Sequence, residues 1–232
     1  MIDVELQLKR SRFDICIKET FHDGITGIYG PSGSGKTSIL NAIAGLAKPE
    51  RGFISIHGRV VFNSSEKINV AVHKRNIGYV FQNGRLFPHM SVAKNLVYGL
   101  NKKKPQLLSV EEVVDILKLE HVLKSKPSGI SGGEYQRTAL GRALLSSPDI
   151  LLMDEPFSAV DNCLRNQIIP YLLKLHHRIR IPILLVSHQL SDLLSLTKRL
   201  CLISEGKCIG HDNYTDLHEF KKDFPGDLQQ CA

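Results

Sequence analysis

The octapeptide GPSGSGKT, Gly30 to Thr37, follows the pattern G-x-x-x-x-G-K-T, and its residue types suit one task, holding a chain of phosphates. Glycines at 30, 33 and 35 let backbone N–H groups approach an anion with no Cβ in the way, and Pro31, Ser32 and Ser34 complete the loop. Lys36 adds a positive charge and Thr37 a hydroxyl suited to Mg²⁺. An apolar run, Ile25 to Tyr29, precedes the motif and a helix-like run, Ser38 to Leu46, follows it, so the phosphates would sit on the positive end of a helix. The combination reads as a nucleoside triphosphate site. It leaves the reaction open, because kinases, GTPases and motors share it.

Two further stretches carry chemistry. ILLMDE, Ile150 to Glu155, ends an apolar strand in two acids, at the end of the strand where α/β sheets hold their ligands. Asp154 is placed to hold Mg²⁺ and Glu155 to polarise a water attacking the γ-phosphate, although a strand ending in solvated acids would look the same in isolation. In ISGGEYQR, Ile130 to Arg137, Ser131 can cap a helix while Gly132 and Gly133 expose N–H groups, a second anion-binding helix start or simply a capped helix.

The elements that must position these residues are legible in outline. Residues 2 to 19 and 52 to 62 alternate apolar and polar side chains like short antiparallel strands, a small β layer beside the nucleotide. A loop from Asn63 to Asn76 leads to IGYVFQ, a buried strand ending at Gln82. From 91 to 126 the pattern turns helical, with Ser91 as one cap and Ser109 with Glu112 as a capping box. A helix at 132 to 146, the strand Ile150 to Met153, a long helix after Asp161 that Pro170 kinks or divides, and a strand from Pro182 to Ser187 follow. RLCLIS, KCIGH and a short helix near Asp216 to Phe220 finish the chain. Strand and helix alternation of this kind predicts an α/β fold with a mostly parallel sheet covered on both faces.

Composition narrows the remaining classes. The 232 residues suffice for a full core, and 42% hydrophobic content is ordinary. No window approaches the roughly 18 uninterrupted apolar residues of a bilayer span, and the start lacks a signal-peptide core, so a cytosolic location is expected. The formal charge of +7 is concentrated only at Lys102 to Lys104, with no interleaved aromatic residues for base stacking, so no nucleic-acid partner is expected. The five cysteines form no C-x-x-C pair and read as core or surface residues, with Cys163 near the nucleotide machinery left open as a reactive thiol.

In this order along the chain, GPSGSGKT, ISGGEYQR and ILLMDE closely resemble the motifs of ATP-binding cassette (ABC) ATPases, and the match covers essentially the whole chain. The resemblance implies a P-loop NTPase (RecA-like) core with an antiparallel β subdomain, and a helical subdomain at about 88–146 inserted within one domain, 1–232. It implies ATP and Mg²⁺ as ligands, Glu155 as general base, His188 in VSHQ as the switch histidine, and Gln82 as the glutamine sensing Mg²⁺ and the attacking water. Ser158 to Asp161 would be the D-loop addressing an opposite subunit, with Ser131, Gly132 and Gly133 facing that subunit's phosphate loop. A homodimer with two composite sites is therefore implied. Ile130 and Glu134 stand where Leu and Gln are commoner, and Val160 where Leu is usual. Phe13 is a candidate for the adenine-stacking aromatic, Tyr29 for the core.

Lacking a span, such a chain is expected to sit peripherally on the cytoplasmic face of the inner membrane and dock on a separate permease, with Leu86, Phe87 and Pro88 either as exposed contacts or as a hydrophobic staple within the domain. Several stretches, including GYVFQNGRLFPH and IIPYLLKLHHRIRIPILLVSHQL, are similar to molybdate-import ATPases. That likeness implies uptake of molybdate or tungstate, with a periplasmic oxyanion-binding protein acting indirectly. The alternatives are an importer of sulfate, iron or an amine, or a soluble cassette acting on nucleic acid. Because the sequence stops at Ala232, a C-terminal regulatory domain that binds the oxyanion is expected to be lacking.

Overall fold

The computed structural model describes residues 1–100, 106, 108–179 and 181–213. The expected helix near Asp216, the Lys102 to Lys104 run and Cys231 lie outside the described residues. The chain divides into two compact units, one formed by Met1–Ile77 with the chain from Pro182 onward and the other by Gly78–Ile181.

In the first unit, β1 (Ile2–Leu8) and β2 (Ile15–Phe21) pair antiparallel, bury Ile2, Val4, Leu6, Ile15, Ile17 and Phe21, and turn their charged residues outward. The fully buried β3 (Ile25–Tyr29) leads through the glycine loop into α1 (Lys36–Ala44), whose Ile39, Leu40 and Ile43 are wholly enclosed. Then come β4 (Arg51–Ile56), β5 (Arg59–Asn63) and the two-residue β6 (Ile68–Asn69). These complete an antiparallel sheet in the order β2-β1-β4-β5-β6. The stretch expected to be a plain loop from Asn63 to Asn76 thus contains a strand and a 3₁₀ turn at Val72–Lys74.

In the second unit, β7 (Ile77–Val80, its first residue at the boundary) stops short of Gln82, which is exposed in the turn beyond it. Three helices follow, α2 (Val92–Val97), α3 (Val110–Ile116) and α4 (Gly132–Leu145). Ser91 caps α2, and Ser109 with Glu112 closes a capping box on α3. α2 and α3 both pack on α4, where a Cβ at Gly141 would fall within 2.6 Å of Leu96 and 3.0 Å of Leu117 and Val113. Strand β8 (Ile150–Asp154) neighbours β7. Helix α5 (Asn162–Ile179) runs unbroken through Pro170, so the proline does not divide it. Pro170 and Asn166 are both exposed, and water can satisfy the carbonyl that the missing N–H leaves free.

The first unit resumes with β9 (Ile183–Val186), α6 (Leu190–Leu196), β10 (Arg199–Ser204) and β11 (Lys207–Asn213). β9 and β10 flank β3 in parallel, and β11 adds an antiparallel edge to β10. Among the described residues no helix is long and apolar enough to cross a membrane.

Arg75 ties this unit together. It is only 2% exposed, yet its guanidinium donates to the carbonyls of Ala42 (3.1 Å) and Ile43 (2.8 Å) at the end of α1, to Val70 O (2.9 Å) and to Asn69 Oδ1 (3.0 Å). A cation against the negative end of a helix is favourable, and these bonds offset its desolvation. Gly45 ends α1 at φ 81°, and a Cβ there would lie 2.7 Å from the guanidinium carbon. Arg75→Leu should leave these acceptors unpaired and destabilise the protein by about 2–4 kcal/mol, read as a lowered urea midpoint.

Candidate functional site

The loop from Gly30 to Gly35 is shaped by backbone before any side chain acts. Gly30, Gly33 and Gly35 hold φ of 156°, 81° and 109°. At Gly30 a Cβ would collide with the Ile203 carbonyl oxygen at 2.0 Å, so the strand end lies in backbone contact with β10. The turn of the β10–β11 hairpin supports the loop from the same direction, its Gly206 N–H donating to the Ser34 carbonyl (2.9 Å). A Cβ at Gly33 would meet nothing within 4 Å. Here glycine supplies the left-handed turn at an open face of the loop.

Lys36 is buried, and its Nζ donates to the carbonyls of Gly30 (2.6 Å) and Pro31 (2.8 Å), which places its charge over the loop. Ser34 Oγ is buried without a hydrogen-bond partner among the described residues. Pro31, Ser32 and Thr37 are exposed, and Thr37 sits in the first turn of α1. A spare hydroxyl, a lysine and a helix start with N–H groups uncovered make a donor set that fits a polyphosphate. His188 belongs to the same unit. Ile28 lies opposite Val186 in the parallel pair, and two residues further along each strand are Gly30 and an exposed His188, at the same carboxyl edge.

The second unit gathers the remaining residues around the end of β8. Asp154 is 3% exposed, and the next residue, Glu155, is 9% exposed with φ 51°, a left-handed conformation that a non-glycine side chain adopts only under strain. Its carbonyl is pinned by Ser158 Oγ (3.1 Å) and the buried Gln136 amide (3.4 Å). Burial pushes the Tyr79 hydroxyl well above its ordinary range, and the charge of Asp154 adds to the shift. Asp161 caps α5 by accepting from the Leu164 N–H (3.0 Å). A Cβ at Gly133 would come within 3.2 Å of the Ala159 carbonyl, so the start of α4 is seated on the 158–161 turn. Gln82 is exposed in the turn beyond β7, and Arg85 lies over the Phe81 ring at 4.2 Å.

Ser131, exposed, caps α4 in a reciprocal box. Glu134 Oε2 accepts from the Ser131 N–H and hydroxyl, both at 2.8 Å, and Glu134 Oε1 contacts His121 Nε2 at 2.7 Å. The substitution of Glu for the commoner Gln therefore has a local partner set. Leu86, expected as an exposed contact or an internal staple, is 6% exposed and is the staple, its N–H donating to Tyr135 Oη (2.9 Å). Phe87 is half-buried and Pro88 exposed. Phe13 packs near Gly206, behind the phosphate loop, while Tyr29 is core. The support from Gly206 and Ile203, and the hold of Gln136 on Glu155, have no motif to announce them.

A P-loop core with an antiparallel sheet and a helical segment is the architecture of an ATP-binding cassette. The family model described as ABC transporter matches residues 18–158, and the chain belongs to that family. The chain is 44% identical over 209 residues to the molybdenum import ATP-binding protein ModC of Paramagnetospirillum magneticum, covering 89% of this chain and 58% of that protein. Its identity to ModC of Haemophilus ducreyi is 48% over 189 residues, covering 82% and 53%. The chain thus spans a little over half the length of these curated relatives. Among solved structures, a dimeric post-hydrolysis state of the ATP-binding cassette MJ0796 bound to ADP and Pi aligns with a TM-score of 0.76 at 26% identity, over 92% of this chain and 98% of that one. A bacterial Atm1-family exporter with ATP bound shares the fold, with a TM-score of 0.80 at 19% identity over 99% of this chain and 41% of that one.

The Glu134 carboxyl is held at about 2, well below the usual 4.5, first by the Ser131 N–H, then by the Ser131 hydroxyl and His121. Because the folded value is the lower one, the stabilisation is complete above about pH 4.5 and is lost as pH falls toward 2. Urea titrations of wild type and Glu134→Gln across that range should show the stability gap closing as the pH falls. A gap independent of pH would contradict the capping role.

Proposed function

We propose that this chain is the ATP-hydrolysing subunit of an ABC importer, working as a homodimer to drive uptake of molybdate, or a related oxyanion such as tungstate, through a separate integral membrane permease. The observation that carries the ATPase reading is that one chain holds both a lysine-centred glycine loop at a helix start and, in its second unit, a buried Glu155 directly after Asp154. The substrate reading is supported by the relatives, whose names specify molybdenum import. A peripheral position on the cytoplasmic face of the inner membrane goes with it, as does indirect service to a periplasmic oxyanion-binding protein.

In this reading, the N–H groups from Gly30 to Thr37 cradle the phosphates, and Lys36 carries its charge to them. Thr37, Gln82 and Asp154 are the residues that would hold Mg²⁺, which when bound would neutralise phosphate charge. Glu155 orients the attacking water and accepts its proton, and the bonds from Gln136 and Ser158 to its carbonyl hold the backbone that carries it. His188, at the edge of the loop, donates to the γ-phosphate. Ser131 and the N–H groups of Gly132 and Gly133 cover that phosphate from the second copy, with Asp161 answering across the dimer. A solved relative described as a dimer with ADP and Pi supports this assembly. The stretch just after Gln82, residues 83–96, with Phe87 and Pro88 within it, is the part we assign to the permease contact.

Glu155→Gln should lower ATP turnover by about 10²–10⁴-fold while leaving ATP binding intact and accumulating a dimer on size-exclusion chromatography. Substantial residual hydrolysis would remove Glu155 from the base role. Ser131→Arg should keep monomer ATP affinity yet prevent that dimer, as read by light scattering. Molybdate-dependent ATP turnover with the cognate permease in liposomes tests the substrate, and turnover driven only by a different solute would overturn it.

A further inference from the structure

Two thiols face one another on the hairpin that supports the phosphate loop. Cys201 on β10 and Cys208 on β11 have their Sγ atoms 3.5 Å apart, Cys201 fully buried and Cys208 half-buried. Seven positions separate them in sequence, and the register places Cys208 opposite Ile203 rather than Cys201. Cys201, two residues before Ile203, shares a face of the ladder with Ile203 and its partner Cys208, so the two thiols are diagonal neighbours beside the register shift between Leu202 and Ile203. The Cys208 thiol donates to the Gly210 carbonyl oxygen (3.3 Å), and its sulfur remains able to accept from Cys201. That contact lowers the Cys208 pKa and raises the Cys201 pKa, so the more accessible sulfur is also the more readily ionised.

We propose that Cys201 and Cys208 form a reversible disulfide, written by a low-molecular-weight disulfide such as oxidised glutathione, and that its closure weakens nucleotide binding at the phosphate loop. The Cys208 thiolate attacks one sulfur of the oxidant, forming a mixed disulfide and releasing one thiolate. Cys201 then attacks the Cys208 sulfur, expelling the second thiolate, which takes up the Cys201 proton. The protein loses two hydrogens and the oxidant becomes two thiols. A disulfide needs about 2.05 Å between sulfurs, so the two Sγ atoms must approach by roughly 1.5 Å, through rotation of the side chains and closing of the hairpin. The part taken up by the backbone is passed to the loop, because Ile203 O abuts Gly30 and the Gly206 N–H is bonded to Ser34 O. The second half of the proposal rests on the nucleotide reading of that loop.

The test uses the full chain with Cys16, Cys163 and Cys231 changed to Ser, incubated with oxidised glutathione and then assayed for ATP binding by equilibrium dialysis. A cross-linked peptide joining Cys201 and Cys208, reversed by dithiothreitol, with ATP affinity lowered several-fold in the oxidised form, is the expected result. Cys201→Ser in this background should stop at a glutathione adduct on Cys208, and Cys208→Ser should take no adduct. Failure of the parent protein to pass beyond the adduct would overturn the disulfide. A cross-linked protein of unchanged affinity would overturn the coupling. Reduced protein that does not bind ATP would instead refute the nucleotide reading, with the peptide still reporting on the thiol pair.

Discussion

The site depends on keeping a backbone loop open toward an anion while its other side is held closed. A loop whose N–H groups point outward has few bonds of its own, and Ser34 N–H to Pro31 O, at 3.1 Å, is its main internal turn. Its shape is imposed by neighbours. Ile203 presses a carbonyl against Gly30, Gly206 donates to Ser34, and Ile15 lies 3.0 Å from where a Cβ on Gly35 would stand. Residues far apart in the chain therefore converge on the glycines, and the absence of side chains lets them come this close. The lysine, buried over two loop carbonyls, can hold its charge there only because the loop does not collapse.

The second unit solves a related problem with strain. Glu155 is the residue of its neighbourhood that backbone energetics would least choose for a positive φ, and its carbonyl is held by Gln136 and Ser158. An uncommon backbone conformation held by neighbouring bonds has a use at a functional residue, since it sets the direction in which the side chain leaves the chain. Beside it, the α4 start is already capped by its own Ser131 and Glu134, so the helix does not need a ligand in order to form.

Where the chemistry is local, the sequence was readable. The phosphate loop, the two acids at the end of β8, the capping box at Ser109 and the cap at Ser131 are each written within a few residues, and the structure has the elements they call for. Contacts that join distant segments through backbone atoms leave no such mark. Nothing in EGK announces that Gly206 supports the loop, and nothing in HKRN shows that Arg75 will be buried against α1. Leu86 fits either contact or staple in sequence, because an apolar residue after a strand suits both, and only its burial, at 6% exposure, decides for the staple. Pro170 lies on the solvated side of α5, a distinction that composition does not record. Cys201 and Cys208 stand seven positions apart in sequence, and it is the pairing of β10 with β11 that makes them diagonal neighbours.

The hold of Arg75 on the end of α1 turns the 63–76 segment into a tether rather than a spare connection. That helix is nine residues long, about 13 Å of rigid rod, with the guanidinium at one end and the glycine loop at the other. Lengthening the chain between Ser64 and Lys74, a change that surface segments usually absorb, would here slacken the anchor of the rod whose far tip bears the charge-binding residues.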